Sequence, residues 1–257
     1  MTRIWLVFLL LSVLVAIGET RIVYGRKLKR ERSPSFAVTI HDESQTEFNC
    51  GATLIGPSVV HTAAHCLTNI TRRNRVVLTI NDFYADISEA DTEYIRKSSD
   101  VYMAATSFKD KRDDFGLIFL EHSVPVCDHS DDSVSVPIIL DNYIFPNASQ
   151  LKPDPKTCYV MGWGMNEYGK FDKNIKVAKV QEMNIASGKI MMGNVAGGID
   201  KPSLRPWMSR DEKCRNRIDV YSYIYYQMAD IERQIRQRGK WEEFVRAQRR
   251  CKSKYQH

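Results

Sequence analysis

Beyond its first eighteen residues this chain has no apolar run long enough to cross a bilayer, which excludes helices that span a membrane after the leader. It has no internal repeat, which excludes a stacked-repeat architecture. It has no long low-complexity linker, so nothing in the composition divides it into separate domains. It has little helical periodicity, and strands do not alternate with helices, which argues against a parallel α/β sheet. Cysteine is sparse, at six residues in 257. A chain of this length buries a core without depending on disulfides.

What is present begins with an address. Arg3 supplies a positive n-region, Ile4 to Ile17 an apolar h-region, and Ala16-Ile17-Gly18 a small-residue cleavage site. The run is short for a membrane span, and charged sequence follows at once. Residues 1–18 therefore read as a signal peptide, with secretion expected and no membrane association after its removal. In an oxidising compartment six cysteines can form three disulfides. Asn69-Ile70-Thr71 and Asn147-Ala148-Ser149 are glycosylation sequons in polar surroundings.

The body reads as short strands at Phe36–Ile40, Ala52–Ile55, Arg75–Ile80, Val101–Ala105, Gly116–Leu120, Val136–Leu140 and Tyr159–Met161. That spacing predicts an all-β sandwich or barrel. The strong helical pattern is near the end, where Met228, Ile231 and Ile235 recur among arginines.

Five motifs carry a resemblance. Arg21-Ile22-Val23-Tyr24-Gly25 follows the leader directly. Asn49-Cys50-Gly51-Ala52-Thr53-Leu54-Ile55 runs through Val59-Val60-His61 to Thr62-Ala63-Ala64-His65-Cys66, with the cysteines sixteen residues apart. Asp113-Asp114-Phe115-Gly116-Leu117 opens an apolar strand. Cys158-Tyr159-Val160-Met161-Gly162-Trp163-Gly164 and Val220–Ile224 with the helix to Gln237 complete the set. Taken singly, each has a plainer reading: a strand start, a core histidine, a charged turn. In register they resemble the trypsin-like serine proteases from Ile22 to about Gln237.

The resemblance implies a double six-stranded antiparallel β-barrel with a C-terminal α-helix, and a second barrel that is shortened. It implies a pro-segment at 19–21, a protease domain at 22–237 and a basic C-terminal extension at 238–257. His65 would be the general base and Asp114 the group that fixes its tautomer, with Asp113 a solvated neighbour. Cleavage after Arg21 would free the Ile22 amine to pair with an aspartate just before the catalytic serine; a buried ammonium needs such a partner. Gly162-Trp163-Gly164 would be structural. Cys50 would pair with Cys66. Of the three ways to pair Cys127, Cys158, Cys214 and Cys251, the resemblance favours Cys127–Cys251 and Cys158–Cys214.

The resemblance fails where the nucleophile should be. The stretch reads Gly193-Asn194-Val195-Ala196-Gly197-Gly198-Ile199. Asn194 stands for the aspartate, Ala196 for the serine, and Val195 is an insertion. Two expected cysteines are absent, although Trp207 matches a later substrate-binding tryptophan. Alanine has no oxygen with which to form an acyl-enzyme. The insertion would move one of the two backbone N–H donors of the family's oxyanion hole. Asn194 cannot carry the charge that would receive the Ile22 ammonium. Ser187, Ser203 and Ser209 lie nearby without a Gly-x-Ser-Gly setting. An aberrant transcript lacking the serine segment is the mundane alternative.

The expected function is therefore a catalytically inactive protease homologue, a binding or regulatory module whose partner is an extracellular protein or protease. The alternatives are an active trypsin-like endopeptidase with a divergent serine site, and a binder of anionic glycans. The last rests on a net charge of +6 and on basic clusters at Arg26–Arg32 and at Arg246, Arg249, Arg250, Lys252 and Lys254. Each cluster also reads as a solvated surface, and the first also as a processing site. A nucleic-acid partner is not expected outside the cell. No cofactor is called for and no metal site is assigned: Asp82, Asp86, Glu89 and Asp91 read as a solvated turn before a calcium site.

Overall fold

The computed structural model describes residues 26–41, 48–68, 76–84, 94–104, 114–130, 132–140, 158–163, 174–186, 189–194, 218–222 and 224–255. The leader, the pro-segment, Arg21, Ile22, both sequons at Asn69 and Asn147, Ala196 and Cys214 lie outside these residues.

Eleven strands occur among the described residues. In chain order they are β1 (Arg26–Lys27), β2 (Ala37–His41), β3 (Phe48–Gly56), β4 (Val59–Thr62), β5 (Val77–Ile80), β6 (Tyr94–Met103), β7 (Gly116–Leu120), β8 (Cys158–Gly162), β9 (Lys176–Ala186), β10 (Lys189–Asn194) and β11 (Ile218–Ser222). Six of them close an antiparallel barrel in the order β2-β3-β4-β7-β6-β5. Closure leaves no unpaired strand edge in this half.

The period-2 geometry of a strand sends alternate side chains to opposite faces. In β7, Ile118 and Leu120 join the barrel interior with Val38, Ile40, Leu54, Val60, Leu78 and Ile80. Leu117 and Phe119 join a second cluster with Ile55, Val59 and the C-terminal helices. Both faces are buried, which is why the β7 sequence is apolar without interruption.

The second sheet contains β1, β9, β10 and β11 in that order, with β8 also paired to β9. Where a second six-stranded barrel is expected, the described residues thus show a five-stranded sheet. Trp163 joins the two halves. Its indole N–H donates to the Phe83 carbonyl at 3.1 Å. Its ring is buried with Ala37, Phe83 and Ile175. This is the structural role expected of the Gly-Trp-Gly motif.

Two helices follow, α1 (Ile224–Gln237) and α2 (Trp241–Tyr255). Met228, Ile231 and Ile235 of α1 are fully buried, as their spacing predicts. Gly239, at φ +67°, ends α1. Its N–H bonds the Arg236 carbonyl at 2.9 Å, and the Lys240 N–H bonds that of Ile235 at 3.1 Å. This is a Schellman cap, in which glycine takes the left-handed position without a Cβ penalty.

Residues 238–257, read from sequence as a basic extension, contain α2, which is built into the domain core. Phe244, Ala247 and Cys251 are buried at spacings of three and four, and Cys251 is bonded to Cys127. Gln248 is 1% exposed. Its amide donates to the carbonyls of Ile55 and Pro137, each at 2.9 Å, and its oxygen accepts from the N–H groups of Ile139 at 2.8 Å and Leu140 at 3.4 Å. Val136–Leu140, read from sequence as a strand, is accordingly not one. Part of its backbone bonding is met by the side chain of a helix and not by a neighbouring strand.

Among the described residues no helix is long and apolar enough to cross a membrane.

Candidate active site

The turn that carries His65 is built from small residues for a physical reason. β4 ends at Thr62, whose hydroxyl donates to the Gly51 carbonyl at 3.1 Å. A short 3₁₀ turn, Ala64–Leu67, follows. Ala64 and Leu67 are fully buried, so the turn is pinned to the barrel end. The Cys50–Cys66 disulfide ties it to β3, with Cα atoms 6.0 Å apart. The Thr68 hydroxyl donates to the His65 carbonyl at 2.8 Å.

β7 must approach this turn closely, and Gly116 permits it. A Cβ there would lie 2.5 Å from Leu67 Cδ1 and 3.2 Å from the Tyr102 carbonyl oxygen. Asp114 stands two residues before, at the mouth of the barrel. Its Oδ2 lies 2.7 Å from His65 Nδ1, and its Oδ1 accepts the His65 backbone N–H at 2.9 Å. An ionised carboxylate only accepts, so Nδ1 carries the proton of the neutral ring. The lone pair is then on Nε2. The His65 side chain is 50% exposed and that of Asp114 24%. The arrangement presents a basic nitrogen on an accessible surface with its tautomer fixed.

The other site residues fall differently. Asn194 ends β10, paired with Val180 in the ladder to β9. Ala196, Arg21 and Ile22 lie outside the described residues, as do Ser187, Ser203, Ser209 and Trp207. Of the acidic run read as a solvated turn, Asp86, Glu89 and Asp91 also lie outside. Asp82 is 1% exposed, with Oδ1 accepting the Tyr84 N–H at 3.0 Å. Burial pushes its carboxyl above the ordinary range. Cys50, His65 and Cys66 have metal-ligand proximity, but both sulfurs are spent in the disulfide and offer no thiolate.

Behind the dyad lies a residue that sequence reasoning passed over. His61, on β4, stacks on Phe115 with ring centroids 5.8 Å apart, and its Nε2 lies 3.3 Å from Gln227 Oε1. Burial holds its pKa below the ordinary histidine value. Its place between two valines and a threonine gives no signal of this, because Gln227 is distant in sequence.

A barrel closed by six antiparallel strands, with a histidine–aspartate pair at its mouth, defines one half of a chymotrypsin-type hydrolase fold. The trypsin family model matches residues 22–195, and the chain belongs to that family. It is 28% identical to rat tonin over 204 residues, 71% of each chain. It is 25% identical to horse kallikrein-1E2 over 172 residues, 62% of this chain and 60% of that one. It is 34% identical to bovine chymotrypsin-C over 116 residues, 45% of this chain and 38% of that one. Among solved structures, a mutant of human heparin binding protein has a TM-score of 0.61 at 18% identity, covering 84% of this chain and 97% of its own.

Proposed function

We propose that this chain is a secreted, catalytically inactive member of the trypsin family that serves as a binding or regulatory module in extracellular proteolysis. The observation that carries the reading is the segment Gly193–Ile199, in which Ala196 stands where the family's nucleophile belongs. His65 and Asp114 hold a proton acceptor ready, but an alanine methyl group gives it no hydroxyl to deprotonate. Asn194 in place of an aspartate removes the partner of the Ile22 ammonium, so the activation step loses its driving ion pair. The losses agree with one another. The leader at 1–18 and the two sequons support secretion.

A serine-directed fluorophosphonate probe tests this. The wild-type chain stays unlabelled at concentrations that saturate trypsin. Labelling that His65→Ala abolishes overturns the reading and establishes an active enzyme with a divergent serine. Ala196→Ser combined with Asn194→Asp and deletion of Val195 tests the alignment itself, since labelling gained by that variant places the nucleophile correctly.

A second reading, binding of anionic glycans, is favoured by the net charge of +6 and by the name of one structural neighbour, heparin binding protein. The two readings are compatible: a protease fold without a nucleophile remains a surface.

A further inference from the structure

The chain carries two basic surfaces, on different elements of the fold. One is the exposed side of α2, where Arg246, Arg249 and Lys254 project from a helix. The other is the segment Arg26–Arg32, which has five cations and one carboxylate, Glu31, in seven residues.

The second surface is an ordered one. β1 pairs with β9 in the register Arg26↔Val177 and Lys27↔Lys176. The Leu28 N–H donates to the Ile175 carbonyl at 3.1 Å, and the Leu28 side chain packs against the cluster around Trp163. The chain then closes a 3₁₀ turn, with Arg32 N–H on the Lys29 carbonyl and Ser33 N–H on that of Arg30, both at 2.9 Å. Leucine is thus drawn inward, and the six residues around it are exposed. Arg26, Lys27, Leu28, Lys29 and Arg32 line a concavity of about 250 Å³.

A backbone held by these bonds spends hydrogen bonds and an apolar anchor on keeping like charges together. Five cations against one carboxylate leave this surface with an excess of positive charge, which attracts an anion. Its one apolar side chain, Leu28, is half-buried against the Trp163 cluster, and no aromatic side chain lines the concavity. Protein interfaces centre on aromatic and other large apolar anchors, and the concavity has no aromatic one to offer. A polyanion needs no such anchor. Guanidinium groups at Arg26 and Arg32 offer paired N–H donors to the oxygens of a sulfate or carboxylate. Extended residues rise about 3.3 Å each, so the cations from Arg26 to Lys29 are spread over about 10 Å, which suits charges repeated along a sugar chain.

We infer that the Arg26–Arg32 concavity is a binding site for a sulfated glycan chain. The inference rests on the glycan reading above and adds its location: β1 and the turn after it, not α2.

Retention on immobilised heparin tests it with two variants of equal charge loss. Arg26→Gln, Lys29→Gln and Arg32→Gln together remove three charges from the concavity. Arg246→Gln, Arg249→Gln and Lys254→Gln remove three from α2. All six residues are exposed, so both variants should keep the wild-type thermal midpoint. The concavity variant should elute at much lower salt, with the slope of log affinity against log salt reduced by about two to three, roughly one per cation lost. The α2 variant should elute near the wild type. Equal losses in both variants mean that net charge alone acts, which overturns the site. A greater loss in the α2 variant overturns it also. Wild-type chain that flows through at physiological salt overturns the glycan reading as a whole. Displacement by polyglutamate as effective as by heparin of matched charge overturns the choice of glycan in favour of an acidic protein.

Discussion

Asp114 holds His65 at two points, with Oδ2 2.7 Å from the ring Nδ1 and Oδ1 on the backbone N–H at 2.9 Å. The carboxylate therefore fixes both the orientation of the ring and the position of the turn that bears it. In an active enzyme the first contact matters for catalysis and the second for preorganisation. On the reading proposed above, in which the nucleophile is missing, both contacts are structural.

This gives the first prediction. Asp114→Ala should shift the neutral His65 ring from the Nδ1–H toward the Nε2–H tautomer, read from its ring ¹⁵N resonances. Stability should fall by about 1–2 kcal/mol, the scale of two partly exposed hydrogen bonds to a charged acceptor. Unchanged ¹⁵N shifts would show that the carboxylate does not set the tautomer.

Gln248 supports the second. One side-chain amide satisfies four backbone groups, on Ile55, Pro137, Ile139 and Leu140. Two are carbonyls and two are N–H groups, so a change that keeps only half of the amide leaves the other half orphaned. Gln248→Ala should cost about 3 kcal/mol or more in urea unfolding, because each buried group left unpaired costs on the order of 1–3 kcal/mol. Gln248→Glu keeps the acceptor and loses the donor, so it should remain destabilised at neutral pH. A cost below about 1 kcal/mol for both changes would mean that water replaces the amide.

A third concerns the contact between the barrel and α2. A Cβ on Gly56 would lie 2.5 Å from Phe244 Cδ2 and 3.0 Å from Cε2. Phe244 is 1% exposed and stacks on Trp241 at 5.6 Å between centroids, so its ring has little room to move. Gly56→Ala should destabilise by about 1–3 kcal/mol, the usual cost of overpacking. Phe244→Leu should relieve part of it, giving a favourable coupling in a double-mutant cycle. Strict additivity would show that the helix shifts freely and that the ring is not the obstacle.

The sequence disclosed whatever is local. The run Thr62–Cys66 sits in one turn, and its small residues, its histidine and its cysteine are neighbours in the chain. The strand after Asp114 is legible because both its faces are apolar. What the sequence concealed depends on contacts between distant positions. The basic residues of α2 obscured the spacing of Phe244, Ala247 and Cys251, and charge is a poor guide when only one face of a helix is wet. Val136–Leu140 has strand-like composition, but its backbone finds Gln248, more than a hundred residues away. Asp82 looked like part of a solvated acidic turn because burial is a property of the fold and not of neighbours in sequence.

His61 makes the last prediction, one of pH dependence. Burial penalises its charged form, and the bond to Gln227 offsets that only in part, so its folded pKa lies below the ordinary histidine value of about 6.5. Well above pH 6.5 the ring is neutral in both folded and unfolded chains and contributes no slope. Below it the unfolded chain binds a proton that the folded chain refuses, so the unfolded state holds more protons and stability falls as the pH drops. The fall continues down to the folded pKa, at no more than about 1.4 kcal/mol per pH unit. His61→Val removes the titrating group while keeping a β-branched residue on β4. The difference in unfolding free energy between wild type and variant, measured by urea titration from pH 7.5 to 5, cancels every other titrating group that the two share. It should be constant above about pH 7 and change steadily below it, with the wild type losing ground. A flat difference across the whole range would mean that His61 titrates normally in the folded chain and is open to solvent.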